Sequence, residues 1–427
     1  MAGAVLILVL AWSLSTDRRA VPWRLVGWGV ALQVLFALVV LRTPVGVAFF
    51  EGVNGVVRAL LGYAEDGGRF LFGNLVSDVV PVGRVDDSGN FEATPGRVAF
   101  SGAFFAFRIF PNIIFVSSLM TVLYHLGVMQ RVVRGVAWVM QRTLRTSGAE
   151  TLPTASNIFV GLMESPLTVK PFLEGMTRSE LMVVMTAGMA TISGGVLAAY
   201  AGMLLPYQPD AAGHLIAASI MSAPAAIVLG KLMVPETEVP ATAARLTDIE
   251  VERPDVNVID AAARGAAEGL RLALVVGAML IAFIALVSLA NGLVGWLGAQ
   301  AGFDGLTLEG MLGWILAPVA WLLGVPWAEA GMVGQLIGLE AVLNEFVAFV
   351  RLEELLDAGA ALSGRTVIIA TYALTSFANF GSVAMTIAGI GEIAPTRRQE
   401  LAGLGLRAML AGLLATLLTA AVAGVLV

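Results

Sequence analysis

The sequence predicts an all-α integral membrane protein with eight transmembrane helices, two re-entrant hairpins of opposite orientation, discontinuous helices and interfacial helices. Three observations predict it. The 427 residues are 58% hydrophobic and only 13% charged, with a mean hydropathy of +0.86, which is too apolar and too poor in charge for a soluble domain. Runs of about 20 apolar residues, the length that crosses the hydrocarbon core of a bilayer, recur from end to end. Between them lie two pairs of half-length apolar pieces, each pair joined at a tip that carries a glutamate.

The spans are expected at about 1–16, 23–42, 98–123, 179–204, 212–232, 267–297, 366–391 and 402–427. No basic residue precedes the first and no small-residue cleavage site follows it, so a removed signal peptide is not expected. FFEGVNGVVRALLGYAEDGGRFLFG is amphipathic and is expected along the interface. SDVVPVGRVDDSGNFEATPGR reads as a surface loop, and residues 236–262 as a polar linker. The chain thus divides into an N-terminal region 1–97, a first half 98–235 and a second half 263–427. GMLGWILAPVAWLLGVPW is long enough to make a ninth span possible.

Lys and Arg placement arbitrates, because cytoplasmic loops are enriched in them. Arg18, Arg19 and Arg24 fall in the first loop; Arg131, Arg134, Arg142, Arg145, Lys170 and Arg178 in the third; Lys231, Arg245, Arg253 and Arg264 in the central linker; Arg397 and Arg398 in the last. LPYQPDAAGH has none, and 325–362 has only Arg351. Eight spans with both termini outside satisfy this pattern, although Arg58, Arg69, Arg84 and Arg97 in the second loop fit it less well. A ninth span at 309–326 would break the parity of everything after it.

Residues 150–178 read as two short pieces meeting at GLMESP, and 327–356 as two more meeting at LEAVLNEF. Irregular backbone at membrane depth survives only where protein or a water-filled cavity satisfies it. Each hairpin precedes a span broken at small and polar residues, MATISGGVLAAYAGM within 179–204 and SFANFGSVAMTIAGIG within 366–391. Charge parity puts the hairpins on opposite sides, so the copies are inverted. Inverted repeats with discontinuous helices point to a transporter whose substrate site lies near the midplane.

Other chemistries are disfavoured by composition. Cysteine is absent and histidine occurs only as His125 and His214, which excludes disulfides and thiol nucleophiles and makes a zinc centre improbable. No basic footprint for nucleic acid is present. An intramembrane enzyme using Glu164 or Glu345 as general base would lack a metal cluster or a paired Ser or His.

Glu164 precedes Ser165 and Pro166, a pair expected to act as N-cap and first-turn proline of a short helix. An intramembrane acid is costly and by default functional; Glu345 holds the corresponding tip. Asn157, Thr191 and Ser193 offer neutral oxygens that, with free carbonyls at the breaks, could hold Na+, although such residues more often cap backbone or bridge helices. Asn379, Ser382 and Phe377 offer an amide, a hydroxyl and an aromatic face to a polar, ring-bearing ligand. Arg108 is expected to pair with an acid or carbonyls, and Lys170 to pair or to snorkel.

FRIFPNIIFVSSLMTVLYHLGVMQ, NIFVGLMESPLTVKPF, MTRSEL, LNEFVAF, TYALTSFANFGSVAMTIAGIGEIAPTRR and LGLRAMLAGLLATLLTAAVAGVL resemble the concentrative nucleoside transporter family, in order, over most of the chain from about residue 98. The resemblance is to a bacterial member, in a cytoplasmic (inner) membrane. It implies an interfacial helix at about 309–326 and a homotrimer with one site per protomer. It also implies elevator-like movement of hairpins and broken helices against a scaffold to which 1–97 contributes. By position it implies that Glu345, Asn379 and Ser382 bind ribose hydroxyls, that Phe377 packs on the base, and that Glu164, with Leu162, Met163 and Val196, forms the base side. It places Na+ on the side chains of Asn157 and Thr191 and the carbonyls of Val160 and Ile192. Three departures stand out: Leu162-Met163 where Gln-Thr is common, Glu340 where Lys is usual, and Gly381 where Ser is usual. Loss of the amide and hydroxyl deletes base-edge hydrogen bonds and leaves base preference open.

The function expected is import of nucleosides by a cation-coupled symporter, with Na+ the coupling ion. The alternatives are proton coupling, through a titrating Glu164 or Glu345, and another ribosylated or polyhydroxylated cargo.

Overall fold

The computed structural model describes residues 2–77, 79–100, 105–243, 255–303 and 305–427. Arg245 and Arg253 of the linker, Met1, and residues 101–104 at the head of the third expected span lie outside the described residues.

The N-terminal region holds α1 (Ala2–Ser13), α2 (Trp23–Arg42) and α3 (Pro44–Phe72). α1 is shorter than the expected span 1–16. Ser13 turns its hydroxyl onto the Leu10 carbonyl (2.7 Å) and Arg18 donates to the Ser13 carbonyl (2.6 Å), which ends the helix at 12 residues. α2 is anchored by buried Gln33, whose Nε2 donates to the Met221 carbonyl (2.9 Å) and to Thr419 Oγ1 (3.2 Å). The segment expected along the interface belongs to a continuous helix of 29 residues that starts at Pro44, where the missing N–H costs nothing. Only Gly46, Asn54, Ala64 and Gly68 of α3 are buried.

The expected surface loop folds into an antiparallel hairpin, β1 (Val79–Val85) and β2 (Phe91–Phe100). Its turn is set by Asp86, which accepts from the Ser88 and Asn90 amides at 2.9 and 2.8 Å, and by Gly89 at φ +85°. α4 (Phe105–His125) follows, then α5 (Val128–Leu144), which carries the basic residues Arg131, Arg134 and Arg142. α5 buries Met129, Val133, Ala137, Met140 and Leu144 at helical spacing and leaves its charges on the opposite face.

The first hairpin is α6 (Gly148–Ser156) and a 3-10 segment (Ser165–Gly175); the broken span after it is α7 (Arg178–Ala190) and α8 (Gly194–Leu204), followed by α9 (Ala211–Met233). The expectation of a capped α-helix at Ser165 is corrected. Glu164 precedes the 3-10 segment without a side-chain cap, Ser165 is its first residue, and Val169 leaves helical geometry two residues before Pro171. A buried polar knot ties this half together. Ser147 and Thr177 each head a capping box, with Glu150 and Glu180. Ser147 Oγ also donates to Glu180 Oε1 (2.5 Å). Lys231 Nζ stands 2.8 Å from Glu150 Oε2 and 2.9 Å from Glu236 Oε2, which also takes the Thr177 hydroxyl at 2.9 Å.

α10 (Val258–Gln300) has 43 residues, about 65 Å at 1.5 Å per residue, and so outruns the expected span 267–297 at both ends. Asn257 caps it, and Asp255 is bonded by Arg264 through both carboxylate oxygens (2.6 and 2.9 Å), which holds the Asp255 carboxyl below its usual range. Gly265 and Gly269 let α10 lie directly on α4: a Cβ on Gly269 would meet Ile114 Cα and Ser117 Cβ at 2.8 Å.

α11 (Leu308–Leu323) bends by 113° into α12 (Trp327–Val342). Gly313, Gly334 and Gly338 bring their backbones into contact. α12 and α13 (Glu345–Asp357) make the second hairpin, α14 (Gly364–Ala373) and α15 (Phe380–Ile393) the second broken span, and α16 (Arg398–Leu426) closes the chain. The core is α7, α8, α9 and α16, whereas most of α10 is exposed.

Candidate substrate and cation site

The second repeat builds an acceptor between two donors. Asn344 caps α13 by taking the Val347 amide at 2.8 Å, which places Glu345 in the first turn, where the helix dipole favours an acid. The Glu345 carboxylate is only 3% exposed. Its Oε1 accepts from the Tyr200 hydroxyl (3.1 Å) and its Oε2 from Asn379 Nδ2 (3.2 Å). Asn379 in turn caps α15, its Oδ1 accepting from the Ser382 amide at 3.0 Å and the Ser382 hydroxyl at 3.2 Å. The expected trio of Glu345, Asn379 and Ser382 is therefore one bonded unit. A carboxylate has four lone-pair sites; two are used here, and the remainder can accept a diol.

Tyr200 was not foreseen. Its ring stacks on Phe349 at 4.1 Å and meets Phe346 edge-on at 5.2 Å. The signal available was its spacing, one helical turn beyond Val196 on α8, so the two share a face. Val196 is buried.

The first repeat builds a cradle of carbonyls. Asn157 Nδ2 donates to the Ala187 carbonyl (2.5 Å) and to Thr191 Oγ1 (2.7 Å). Thr191 Oγ1 also lies 3.0 Å from the Asn157 carbonyl. The Gly194 amide bonds the Phe159 carbonyl at 3.1 Å, which draws Val160 and the end of α6 toward the break at 191–193, where Ile192 is buried. Asn157 Oδ1 is buried without a partner among the described residues. A buried acceptor left without a hydrogen bond costs about 1–3 kcal/mol, and a hard monovalent cation would satisfy it. Ser193 precedes α8 but caps nothing.

The two sites meet through backbone. The Phe377 amide, in the second break, donates to the Met189 carbonyl at the end of α7 (2.9 Å). Phe377 is half-buried there. The first hairpin's tip is not part of this unit. Leu162 is 7% exposed and packs on Gly188, Met163 lies over Gly389 of α15, and the exposed Glu164 folds its Oε2 back toward Gly161. Glu164 shares no hydrogen bond with Glu345 among the described residues, so the joined elements are the two breaks rather than the two acidic tips. His214 packs on Phe50 (4.8 Å) and Tyr372, and Lys170 is exposed. Arg108 lies within electrostatic range of Tyr207, whose hydroxyl donates to Asp357.

Three family models match the chain: Na+ dependent nucleoside transporter N-terminus over residues 2–75, Nucleoside recognition over 106–207, and Na+ dependent nucleoside transporter C-terminus over 214–424. The nucleoside permease NupC of Helicobacter pylori is 37% identical over 427 residues, covering 100% of this chain and 96% of that protein. The sodium/nucleoside cotransporter 1 of Rattus norvegicus is 39% identical over 439 residues, covering 100% of this chain and 63% of that protein. The structure of CNTnw in an inward-facing substrate-bound state superposes with a TM-score of 0.88 at 41% identity, covering 100% of this chain and 96% of that one. Full-length identity at this level, with family models matched from residue 2 to residue 424, shows that the chain belongs to the concentrative, Na+ dependent nucleoside transporter family.

Proposed function

We propose that this transporter, which is a multi-pass membrane protein and not an enzyme, imports nucleosides together with Na+ across a cytoplasmic (inner) membrane. The observation that carries this reading is the Glu345–Asn379–Ser382 unit, joined by the Phe377–Met189 hydrogen bond to the Asn157–Thr191 cradle. Glu345, Asn379 and Ser382 take the ribose hydroxyls and Phe377 packs on the base, with Glu164, Leu162, Met163 and Val196 on the base side. Asn157 and Thr191, with the Val160 and Ile192 carbonyls, hold Na+. Because the ion fixes the break that receives the Phe377 amide, each ligand orders backbone the other needs, which is the reciprocal coupling a symporter requires. Both termini lie outside, the protein is a homotrimer, and hairpins and broken helices move together against a scaffold that includes 1–97.

A thermal-shift panel of nucleosides with and without Na+ tests this, since a ligand of the folded state raises its apparent stability by mass action. At least one nucleoside is expected to stabilise the protein more in Na+ than in its absence; no stabilisation by any nucleoside would sink the reading. Asn157→Leu is expected to abolish the Na+ increment while leaving a residual nucleoside shift. An undiminished Na+ increment in that variant would remove the ion from this cradle.

Leu162 and Met163 favour weak discrimination between bases. Met163→Thr is expected to improve binding of one base class over the other by about tenfold, or about 1.4 kcal/mol, the upper part of the net contribution of one hydrogen bond. Competition between uridine and adenosine reads it. Leu162→Gln is expected instead to lower stability, since it buries an amide against Gly188. If uridine and adenosine compete no better than unrelated sugars, the cargo is another polyhydroxylated solute.

A further inference from the structure

A second acid stands beside the substrate unit and is not used by it. Glu340, on the last turn of α12, has no exposed surface. The Ser376 hydroxyl, in the second break, donates to its Oε1, and its Oε2 is buried without a partner among the described residues. The titratable groups that face it are Glu345 from α13 and the Tyr200 phenol from α8. α11 turns Leu312 and Leu316 toward α12. Arg365 of α14 is spent on the Gly324 and Gly424 carbonyls, and Tyr372 of α14 meets His214 at 3.4 Å. Neither Glu340 nor Glu345 has an ion-pair partner among the described residues.

Two carboxylates without a counter-cation in one dry site do not both ionise; one takes up a cation, and a proton is the smallest that a two-oxygen site can hold. Their surroundings divide the roles. Glu345 receives two donors, from Tyr200 and Asn379, which favour its charged form, whereas Glu340 has one hydroxyl and a bare oxygen. We propose that Glu340 is a proton site of the transport cycle, loaded from solvent as nucleoside binds and carried with it, in addition to Na+ at the Asn157 cradle. The inference rests on nucleoside binding at Glu345. Ribose hydroxyls donated to Glu345 fix the negative charge there and hold the pair closed to water, as it is in this conformation, so a proton loaded while the site is open is kept on Glu340 Oε2, and Ser376 is its positioning residue. The balance is one proton taken from water on the loading side and returned to water on the other; no other bond changes. Proton and nucleoside then bind with positive cooperativity, by linkage.

Calorimetric titration of uridine and adenosine into the full-length protein in lipid nanodiscs, at saturating Na+, in buffers of low and high ionisation enthalpy, counts protons taken up on binding. Wild type is expected to take up about one proton per nucleoside at a pH between the titration midpoints of the free and the nucleoside-bound protein, and E340Q none while still binding nucleoside. Should E340Q fail to fold, S376A is expected to keep the uptake but shift the pH at which it is half complete. Nucleoside binding by wild type without proton uptake, uptake retained by E340Q, or an unshifted midpoint in S376A would each overturn the proton site while leaving nucleoside binding intact. Absence of any nucleoside binding by wild type would overturn the substrate reading and this inference together.

Discussion

Glu345→Gln is expected to weaken nucleoside binding by roughly 100-fold or more, because each hydrogen bond to a charged group contributes about 1.5–3 kcal/mol and the ribose offers two hydroxyls. Geometry adds to the loss. The carboxylate already accepts from Tyr200 and Asn379; an amide in its place turns a donor against one of them and breaks the Asn379 orientation that also caps α15. The variant is expected to fold, since an unpaired buried charge is removed and the Asn344 cap of α13 is untouched. Equilibrium binding and thermal unfolding on one preparation check both halves of this expectation. Binding within a fewfold of wild type would exclude Glu345 from the site, whereas loss of fold would show that its role is in the packing of the hairpin.

The largest stability effect is expected at Lys231. It is 3% exposed and is the cation that bridges Glu150 of the first hairpin to Glu236 beyond α9. Lys231→Met fills the volume but strands two acids, one of them nearly fully buried, and breaking a buried pair from one side costs about 3–5 kcal/mol. The fall in unfolding temperature in detergent measures it. Adding Glu150→Gln and Glu236→Gln to Lys231→Met is expected to recover much of the loss, because the stranded charges go with them. A single variant as stable as wild type would mean that the knot contributes nothing to holding the hairpin.

The parts of the fold written in local pattern were legible. Apolar runs gave most spans, breaks at small and polar residues gave the discontinuous helices, and the tip motif LNEF places Asn344 and Glu345 where α13 starts. What escaped was set by partners distant in sequence or by a period that charge counting obscured. Tyr200 bonds a carboxylate 145 residues away, and its spacing from Val196 is all that hints at it locally. The arginines of α5 mark it as a basic loop, although Met129, Val133, Ala137, Met140 and Leu144 repeat at helical spacing. Lys231 counted as a loop charge, yet it is buried, paid for by Glu150 and Glu236. The turn of β1 and β2 is written in Asp86, Ser88 and Gly89, but the polar run around it carried no sign of pairing with itself. At the first tip, Pro171 and the kink at Val169 favour a 3-10 path over the capped α-helix that Ser165-Pro166 suggested.

The family likeness and the geometry converge on one arrangement. The two broken spans touch where the Met189 carbonyl receives the Phe377 amide, with the orphan Asn157 amide oxygen beside the first break and the Glu345 carboxylate, held by Tyr200 and Asn379, beside the second. Charge on the cation side and hydroxyls on the carboxylate side therefore act on the same short stretch of backbone. Glu340, at the end of α12 and across the hairpin's break from Glu345, is the third group that the proposed proton site ties to what the site holds.

The dissociation constant of the tighter-binding of uridine and adenosine, followed across a Na+ titration at fixed pH and ionic strength, tests this arrangement most directly. Coupling through the joined breaks predicts that affinity rises by about tenfold as Na+ saturates its site, within the 1–3 kcal/mol typical of linked sites. An affinity that stays constant from Na+-free to saturating Na+ would contradict it.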